Sequence, residues 1–557
     1  MSVFIGYPSF MAYQMMKGKK DNNEGFPTIP GTIARYSALG LTNEEMSKNP
    51  VWVDKTGNDH DLQMKNFAWG GMSGVGGYEM NFNLWTNNVP SISDISMSKT
   101  TTSVSVSVGN SAYNNNLIYI HKNNWDVNKN HWLKVASTYE DGDLAFIFYN
   151  DKYTKKIELP ANGYANIPAY PEFKGSYMYI STISNKQGSF TIEQLPLYPG
   201  ALVFDGVDDY GTCDNFPILT KEKGYTVVAL RQWITRGGIA QGLVSNVKNW
   251  LKDGAFLLEY RNIQAEHLNK PISFGAIGSE NDLPHILTYQ TSKSYNGVSI
   301  TTGNFEGTDV LHVGKLAPTN VGTCINAAIW ELVFLDHDAT EEELTKIKDY
   351  FVKTYPWLFP DQAWTVVGKT NEDEDRATIA NITGNGNDLV LSNFGFAEGS
   401  GYNEQGEYAG YLVTDGVDDM ITSSVFNMGK DFTIVGDWKF IDNKKSGTGL
   451  VKGSSFYIYN TMIGLDLYIN SGSVKNSLDG IKSINAACSD GRAYDRNWNE
   501  ILANTGNVVG SGGMLEVSSS GGRFDRIAFK NLAIYPRILS KDDCIKAYNY
   551  LQTLKAK

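Results

Sequence analysis

Short stretches of alternating or continuous apolar residues, separated by glycine, asparagine and serine, run through most of the chain. Residues 101–110, TTSVSVSVGN, alternate strictly and predict a half-buried strand. Runs rich in β-branched and aromatic residues predict further short strands, namely TVVAL, FLLEY, SFYIY and LDLYI. This pattern favours an all-β protein built of sandwiches over one built of α/β layers.

Two segments change from strand-like to helix-like periodicity near their ends. Residues 327–355 and 525–554 each read as a strand, a turn and a short helix. Apolar residues recur at helical spacing in both, at Leu344, Ile347 and Phe351 and at Ile545, Tyr548 and Leu551. At the predicted starts, Thr340 precedes Glu343 and Ser540 precedes Asp543 at the spacing of a helix N-cap. We therefore predict that a short helix closes each of two modules.

The chain contains the same acidic motif twice. LVFDGVDDY at 202–210 and LVTDGVDDM at 412–420 are identical at seven of nine positions. TGNDHDLQMKNFAW at 56–69 and TGNGNDLVLSNFGF at 383–396 are identical at seven of fourteen positions. An apolar strand follows each acidic motif. The repetition predicts two copies of one β-rich fold.

The chain of 557 residues is too long for one hydrophobic core and predicts about three domains. Prolines before residue 200 indicate a boundary there. The first module has the TGN motif without DGVDD, and its residues 131–152 read as strand, Asp-Gly turn, strand. We predict an N-terminal arm and three modules, at 1–29, 30–198, 199–358 and 359–557.

The composition narrows the range of possible partners and functions. Aromatic residues make up 12% of the chain, with 31 Tyr and 12 Trp, which suits β-structure and contacts with sugars or proteins. A net charge of −12 argues against nucleic acid as a partner. No apolar run predicts a membrane span, and the N-terminus lacks the charge order of an export signal. The four cysteines are far apart and predict free thiols.

The segments around the acidic motifs resemble the laminin-G-like, concanavalin A-like jelly-roll family. ALVFDGVDDY, the strand after it and the closing FKNLAIYPRILSKDD carry this resemblance, and residues 131–151 resemble the family's central hairpin. Longer phrases, such as TIEQLPLYPGALVFDGVDDYG, resemble virion proteins of crAss-like and related tailed phages of gut Bacteroides-type bacteria. The resemblance covers nearly all of residues 36–555. It implies tandem jelly-roll sandwiches in a structural or adhesive virion component.

The acidic motifs have two interpretations. As a calcium site, they supply hard oxygen ligands from Asp205, Asp208 and Asp209 and from Asp415, Asp418 and Asp419. As a tight turn, they need Gly206 and Gly416 at positive φ, with aspartate side chains bonding the turn's own amides. Each motif is too short to supply six or seven ligands alone, so we favour the turn. We therefore expect no cofactor, with calcium at these motifs as the alternative.

Two loops combine the aromatic, amide and charged side chains that sugar binding requires. Residues 111–132 are rich in asparagine and include Trp125. Residues 489–501 place Tyr494, Arg496 and Trp498 at alternate positions, so that one strand face can present all three. The alternative is that these aromatic side chains pack on a neighbouring module or subunit.

The alternative function is that of an enzyme. A concanavalin-like glycosidase needs two carboxylates across a groove, and the expected E-x-D-x-x-E pattern is missing from the sequence. The seven histidines lack metal-ligand spacing, and neither a G-x-S-x-G motif nor a P-loop occurs. We therefore expect a non-enzymatic protein, with a glycan-cleaving depolymerase as the alternative.

The N-terminal arm is apolar and too short to fold alone. Phe4, Tyr7, Phe10 and Tyr13 predict docking onto other virion proteins or trimerisation. The alternative is a strand added to the first sandwich. The resemblance implies a protein of the virion surface, made in the bacterial host cytoplasm, and a fibre-like protein of this kind is expected to be a homotrimer. It would be a head or tail fibre or decoration protein that binds host-surface or mucosal glycans, or a collar or capsid component without a ligand.

Overall fold

The structure is a computed structural model. It describes residues 25–87, 95–109, 116–120, 125–127, 131–168, 170–182, 186–220, 222–235, 241–249, 257–261, 286–299, 306–316, 324–427, 429–442, 448–452, 456–460, 464–469, 477–479, 484–502, 512–517, 519–520 and 523–556. Within these residues the chain is nearly all β, in several antiparallel sheets that pack as sandwiches. None of the described helices is long and apolar enough to cross a membrane.

Residues 25–78 supply four short strands and one short helix. These are β1 (Thr32–Ser37), α1 (Asn43–Lys48), β2 (Val51–Trp52), β3 (Leu62–Lys65) and β4 (Gly74–Val75). Thr42 caps α1, because its side chain accepts a hydrogen bond from the Glu45 amide. Strands β1 and β4 find their partners only beyond residue 200.

The next segment folds into a sandwich of its own. Its strands are β5 (Thr86–Asn87), β6 (Ile95–Lys99), β7 (Ser103–Val108), β8 (Asn116–Ile120), β9 (His131–Ser137), β10 (Leu144–Tyr149), β11 (Thr154–Leu159), β12 (Asn162–Ile167), β13 (Tyr177–Thr182) and β14 (Gly188–Gln194). They form two five-stranded sheets, in the orders β11-β10-β13-β8-β5 and β12-β9-β14-β7-β6. Alternating burial along β7 confirms the strand predicted at 101–110.

The third segment returns to the strands of the first. It contains β15 (Leu202–Asp205), β16 (Tyr210–Cys213), β17 (Thr226–Thr235), β18 (Gln241–Asn249), β19 (Leu257–Arg261), β20 (Leu287–Thr291), β21 (Ser294–Tyr295), β22 (Val298–Ser299), β23 (Glu306–Val313), β24 (Asn326–Leu335) and helix α2 (Glu341–Thr354). β1 pairs with β24, β4 with β15, and β3 with β16. Together the first and third segments form two facing sheets.

The predicted division at residues 198 and 199 is therefore wrong for the first two modules. Residues 25–78 and 197–358 form one body, here called the N-terminal unit, and residues 79–196 form an inserted sandwich. The two connections lie side by side, since the Leu197 amide donates to the Gly77 carbonyl at 3.0 Å and the Tyr198 amide to Gly76 at 2.8 Å. The proline-rich stretch marks the end of an insertion rather than the end of a module.

The structure also corrects the prediction for residues 131–152. Residues 131–152 read as a hairpin, but β9 and β10 lie in opposite sheets of the inserted sandwich. β9 pairs with β12 and β14, whereas β10 pairs with β11 and β13. The segment between β9 and β10 crosses from one sheet to the other, because apolar residues of both strands face the same core between the sheets.

The C-terminal unit comprises residues 359–556. Its strands are β25 (Gln362–Thr365), β26 (Thr378–Ile379), β27 (Leu389–Ser392), β28 (Gly401–Asn403), β29 (Tyr411–Val413), β30 (Met420–Asn427), β31 (Thr433–Asp442), β32 (Thr448–Lys452), β33 (Phe456–Asn460), β34 (Gly464–Ile469), β35 (Ser477–Asp479), β36 (Ile484–Cys488), β37 (Arg492–Asp495), β38 (Glu500–Leu502), β39 (Gly512–Val517), β40 (Ser519–Ser520), β41 (Arg523–Phe524) and β42 (Arg526–Tyr535), followed by helix α3 (Lys541–Leu551). β25 pairs with β42 as β1 pairs with β24. The two predicted closing helices are confirmed, with Thr340 and Ser540 as their N-caps.

One aromatic core joins all three bodies. Trp132 of the inserted sandwich lies 4.9 Å from Tyr548 of α3, centroid to centroid, and Trp330 of β24 lies 6.0 Å from Tyr550. Trp357, which follows α2, belongs to the same buried cluster. We call this cluster the shared core.

A buried ion pair ties β1 to β24 and α2. The Arg35 Nε atom donates to Glu331 Oε2 at 2.9 Å, and both side chains are almost fully buried. The hydroxyls of Tyr350 and Tyr355 also donate to Glu331 Oε1, at 3.2 and 2.9 Å. Phe26 lies over the guanidinium, 4.5 Å from ring centroid to Cζ. The C-terminal unit does without this pair, because the corresponding strand positions hold Ala363 and Asn531.

Replacing Arg35 by alanine should destabilise the N-terminal unit by about 3–5 kcal/mol, because Glu331 would stay buried without its cation. Calorimetry should show the loss as a thermal midpoint several degrees lower. The double variant Arg35→Ala/Glu331→Asn copies the C-terminal unit and should recover much of the loss. A single variant that unfolds at the wild-type temperature would show that the pair contributes little.

Candidate functional site

The first acidic turn is held by its own carboxylates. Asp205 Oδ1 accepts hydrogen bonds from the amides of Val207 at 2.7 Å and Asp208 at 3.4 Å. Asp209 Oδ2 accepts from the Asp205 amide at 3.0 Å, and its Oδ1 accepts from the Ser73 hydroxyl at 3.0 Å. The turn is thereby joined to the segment that precedes β4.

The second acidic turn repeats these contacts. Asp415 Oδ1 accepts from the amides of Val417 at 2.7 Å and Asp418 at 3.4 Å. Asp419 accepts from the Asp415 amide at 2.7 Å and from the Ser400 hydroxyl at 3.1 Å. The hydrogen-bond partners therefore correspond between the two copies.

The glycine of each turn has a positive φ, 82° at Gly206 and 74° at Gly416. A Cβ on Gly206 would lie 2.8 Å from Cβ of Asn326, so a larger residue would be strained and crowded. The structure thus confirms the turn interpretation. The motif occurs twice because two copies of one fold need the same corner.

The turns also concentrate negative charge. Burial raises the pKa of Asp209 to about 7 and that of Asp419 to about 6, against the opposing effect of the hydrogen bonds they accept. Neighbouring carboxylates of the same turn raise both pKa values further. In each turn, carboxylate oxygens of three aspartates lie within 4.8 Å of one another, a distance that one metal ion would bridge.

The predicted sugar-binding face at Tyr494 and Trp498 is wrong. Tyr494 lies in β37 and Trp498 in the loop after it, so they do not share a strand face. Their side chains are 0% and 1% exposed, and the Trp498 ring packs 5.6 Å from Tyr548 of α3. The alternative, packing between modules, describes both residues. Arg496 alone of the three is half-buried and lines a cleft.

Trp125 is likewise unavailable to a sugar. It is 5% exposed, and its ring lies 4.6 Å from Phe146 and 4.1 Å from His131. It fills the core of the inserted sandwich. The docking residues predicted in the arm, Phe4, Tyr7, Phe10 and Tyr13, lie outside the described residues.

The structure reveals a surface that the sequence reasoning missed. Tyr119 of β8, Tyr177 and Tyr179 of β13, and Tyr149 of β10 share the outer face of one sheet of the inserted sandwich. Ring centroids are 5.6 Å apart for Tyr119 and Tyr179, and 6.4 Å for Tyr177 and Tyr179. Tyr149 and Tyr177 form a cross-strand pair and are 45% and 53% exposed. We call these four residues the tyrosine face.

The tyrosine face lies on the side of the inserted sandwich opposite its contact with the shared core. The outer face of the opposite sheet carries Trp132, which packs into the shared core. The two outer faces of a sandwich lie on opposite sides, so the tyrosines lie on the outer face opposite the one that packs into the shared core. One feature of the sequence could have revealed this face. Along β13, tyrosines alternate with buried apolar residues, so Tyr177 and Tyr179 lie on the face of the strand that is turned away from Met178 and Ile180.

No protein-family profile and no curated protein matches this chain. Among solved structures, Trypanosoma rangeli sialidase in complex with sialic acid is 10% identical, with 83% of this chain and 85% of the sialidase covered and a TM-score of 0.25. A structure on cell entry of botulinum neurotoxin type C, described as dependent on two ganglioside molecules, is 10% identical, with coverages of 58% and 82% and a TM-score of 0.23. With TM-scores this low, neither likeness carries a functional argument.

Replacing Asp209 by asparagine should flatten the pH dependence of stability. The folded-state pKa of about 7 lies above that of an unfolded aspartate, about 4, so folding favours the protonated form. This contribution is fully present below about pH 4 and is lost as the pH rises through about 7. In chelator, the wild-type thermal midpoint should therefore fall between pH 5 and pH 8.

That fall should be smaller in Asp209→Asn and smallest in Asp209→Asn/Asp419→Asn. Asp208→Asn removes an exposed carboxylate of the same turn, whose charge is the smallest of the causes that shift the pKa of Asp209, and is the matched control, expected to keep most of the wild-type slope. Equal slopes for Asp208→Asn and Asp209→Asn would contradict the assignment.

Proposed function

We propose that the protein is a non-enzymatic, glycan-binding adhesive protein whose sugar-binding surface is the tyrosine face. The observation that carries the proposal is a group of four tyrosines on one outer sheet face, of which Tyr149 and Tyr177 are exposed to solvent. Each ring offers an apolar surface for the C–H face of a sugar and a hydroxyl for hydrogen bonds. Rigid aromatic side chains also lose little conformational entropy on binding.

The shape of this surface favours an extended glycan over a small ligand. Rows of paired side chains cross this sheet face from strand to strand. Tyr119 pairs with Tyr179 and Tyr149 with Tyr177. Next to Tyr149, the edge strand β11 adds Thr154 to the same face. A polysaccharide chain can therefore contact several rings at once.

The setting of this function comes from the sequence resemblance. As a proposal, the protein is a virion component of a crAss-like or related phage, a head or tail fibre or decoration protein at the virion surface. In this proposal the N-terminal arm attaches the chain to other virion proteins, and homotrimers place several tyrosine faces on one particle. Several weak sites on one particle bind a repetitive glycan more tightly than one site does.

Two alternatives accompany the proposal. A glycan-cleaving enzyme would need two carboxylates free to act across a groove. In the cleft near Arg496, Asp141 accepts the Ala161 amide at 2.7 Å and Glu158 pairs with Lys156 at 3.1 Å, so both carboxylates are already engaged. A collar or capsid component without a ligand would leave the exposed tyrosine face without a role, which favours the binding protein.

Truncating Tyr149 and Tyr177 together should weaken glycan binding at least tenfold, at about 1 kcal/mol for each ring lost. A glycan array that includes mucin glycans identifies the ligand, and titration of wild type and Tyr149→Ala/Tyr177→Ala with that ligand measures the loss. Tyr210→Ala removes a tyrosine from a different sheet and should bind as wild type does. The conservative variant Tyr177→Trp keeps an aromatic ring and should retain binding.

A blank array with the folded wild-type protein would favour the structural alternative. Equal losses in Tyr210→Ala and in the double variant would show that the effect does not belong to the tyrosine face.

Calcium at the acidic turns is a further part of this proposal, as a stabilising ion. The carboxylate oxygens of each turn keep lone pairs beyond those that accept amide hydrogens, and calcium would favour their ionised form. Titration calorimetry should show two calcium ions per chain, and one after Asp208→Asn. This variant changes a calcium ligand but leaves Asp205 and Asp209 to accept the hydrogen bonds that the turn's amides donate. Absence of heat on calcium addition would leave the turns as corners only.

A further inference from the structure

A polar cleft lies where the inserted sandwich meets the C-terminal unit. Its volume is about 530 Å³, within the range of small-molecule sites. One wall comes from β11 and β12, one edge strand from each sheet of the inserted sandwich, and the other from the loop that carries Arg496, Asn497 and Asn499. The cleft therefore belongs to neither body alone.

The loop that forms one wall is locked in place. Asp495 Oδ1 accepts the amides of Asn497 and Asn499, both at 2.8 Å, and the Arg496 carbonyl accepts from the Asn485 amide group at 3.2 Å. Trp498 sits in the shared core with a φ of 62°, a conformation that costs free energy for a bulky residue. The buried Trp498 and the bonds to Asp495 hold Arg496 and Asn497 at the cleft.

The opposite wall offers a cation and an unused acceptor. Lys155 Nζ lies 5.4 Å above the ring centroid of Tyr170, which directs the lysine along the wall. Asn166 is 9% exposed, and its Oδ1 atom has no hydrogen-bond partner among the described residues. A buried amide oxygen without a partner is unfavourable unless a bound group or water satisfies it.

The charges of the cleft do not cancel. Asp141 and Glu158 are engaged by the Ala161 amide and by Lys156, as described above. No carboxylate of the described residues forms an ion pair with Lys155 or Arg496. These two cations come from opposite walls, so an anionic group between them would be bound from both sides.

We infer that this cleft binds a carboxylate-bearing saccharide, a hexuronate, with the carboxylate between Lys155 and Arg496. The amides of Asn166 and Asn497 then bond the sugar hydroxyls, since an amide group both donates and accepts. Amides beside cations distinguish this cleft from a site for a bare anion. The site differs from the tyrosine face in its residues and in its ligand chemistry, so the two can be tested separately.

Calorimetric titration of the full-length protein with trigalacturonic acid tests the inference. The acid should bind, and its methyl ester, which has the same sugars without the charge, should bind at least tenfold more weakly. Lys155→Gln and Arg496→Gln should each weaken binding of the acid at least tenfold. Lys152→Gln removes an exposed lysine outside the cleft and should have no effect.

Several results would overturn the inference. Equal affinity for the acid and its ester would remove the role of charge, and equal affinity for inorganic sulfate would reduce the cleft to an anion site. Binding that is lost in Tyr149→Ala/Tyr177→Ala but kept in Arg496→Gln would place the sugar on the tyrosine face. Absence of heat with both trigalacturonic acid and a hyaluronan tetrasaccharide, in a folded protein, would show that the cleft takes no hexuronate.

Discussion

Burial of one central strand on both of its faces organises the N-terminal unit and its contact with the rest of the chain. The side chains of β24 alternate between two cores. Ile329 and Phe334 enter the core of the N-terminal sandwich, while Trp330 and Val333 enter the shared core. A strand with two apolar faces needs a covering layer on each side. Helices α2 and α3 supply much of that second layer.

The C-terminal unit meets the same constraint with the equivalent strand β42. Phe529 and Ile534 enter its own sandwich core, and Ala533 and Tyr535 enter the shared core. The two units therefore bury their backs against a common layer of helices and aromatic side chains. Trp132 extends that layer to the inserted sandwich. Because the layer is continuous, the cleft beside Arg496 has walls fixed relative to each other, although they come from different bodies.

Local sequence patterns predicted many of the strands, turns and helices of this fold. They did not predict which distant strands pair with each other. The strands, the acidic turns and the capped helices at Thr340 and Ser540 depend on neighbouring residues, which a pattern shows directly. The partner of β1 lies about 300 residues away, and no local pattern specifies it. The boundary before residue 200 was visible, but whether it ended a module or an insertion depended on that distant pairing.

The candidate sites show the same limit. An aromatic residue in a polar loop reads as exposed, yet Trp498 is the buried group that fixes its loop, and only the flanking Arg496 and Asn497 reach the cleft. The tyrosine face needs Tyr119, Tyr149 and Tyr177 from three strands, which pair in an order that the sequence does not show. Period-two alternation indicates which residues share a face of one strand, but not which face stays uncovered after packing.

The insertion also sets an order for folding. Strands β1 and β4 leave the ribosome long before β24 and β15, so the N-terminal unit cannot form until most of its chain exists. The inserted sandwich is continuous and can fold first. Once folded, it holds Gly77 beside Leu197 and removes about 120 residues from the loop between β4 and β15, which lowers the entropic cost of closing that loop by about 2.5 kcal/mol. The inserted sandwich therefore also brings together the two halves of the N-terminal unit.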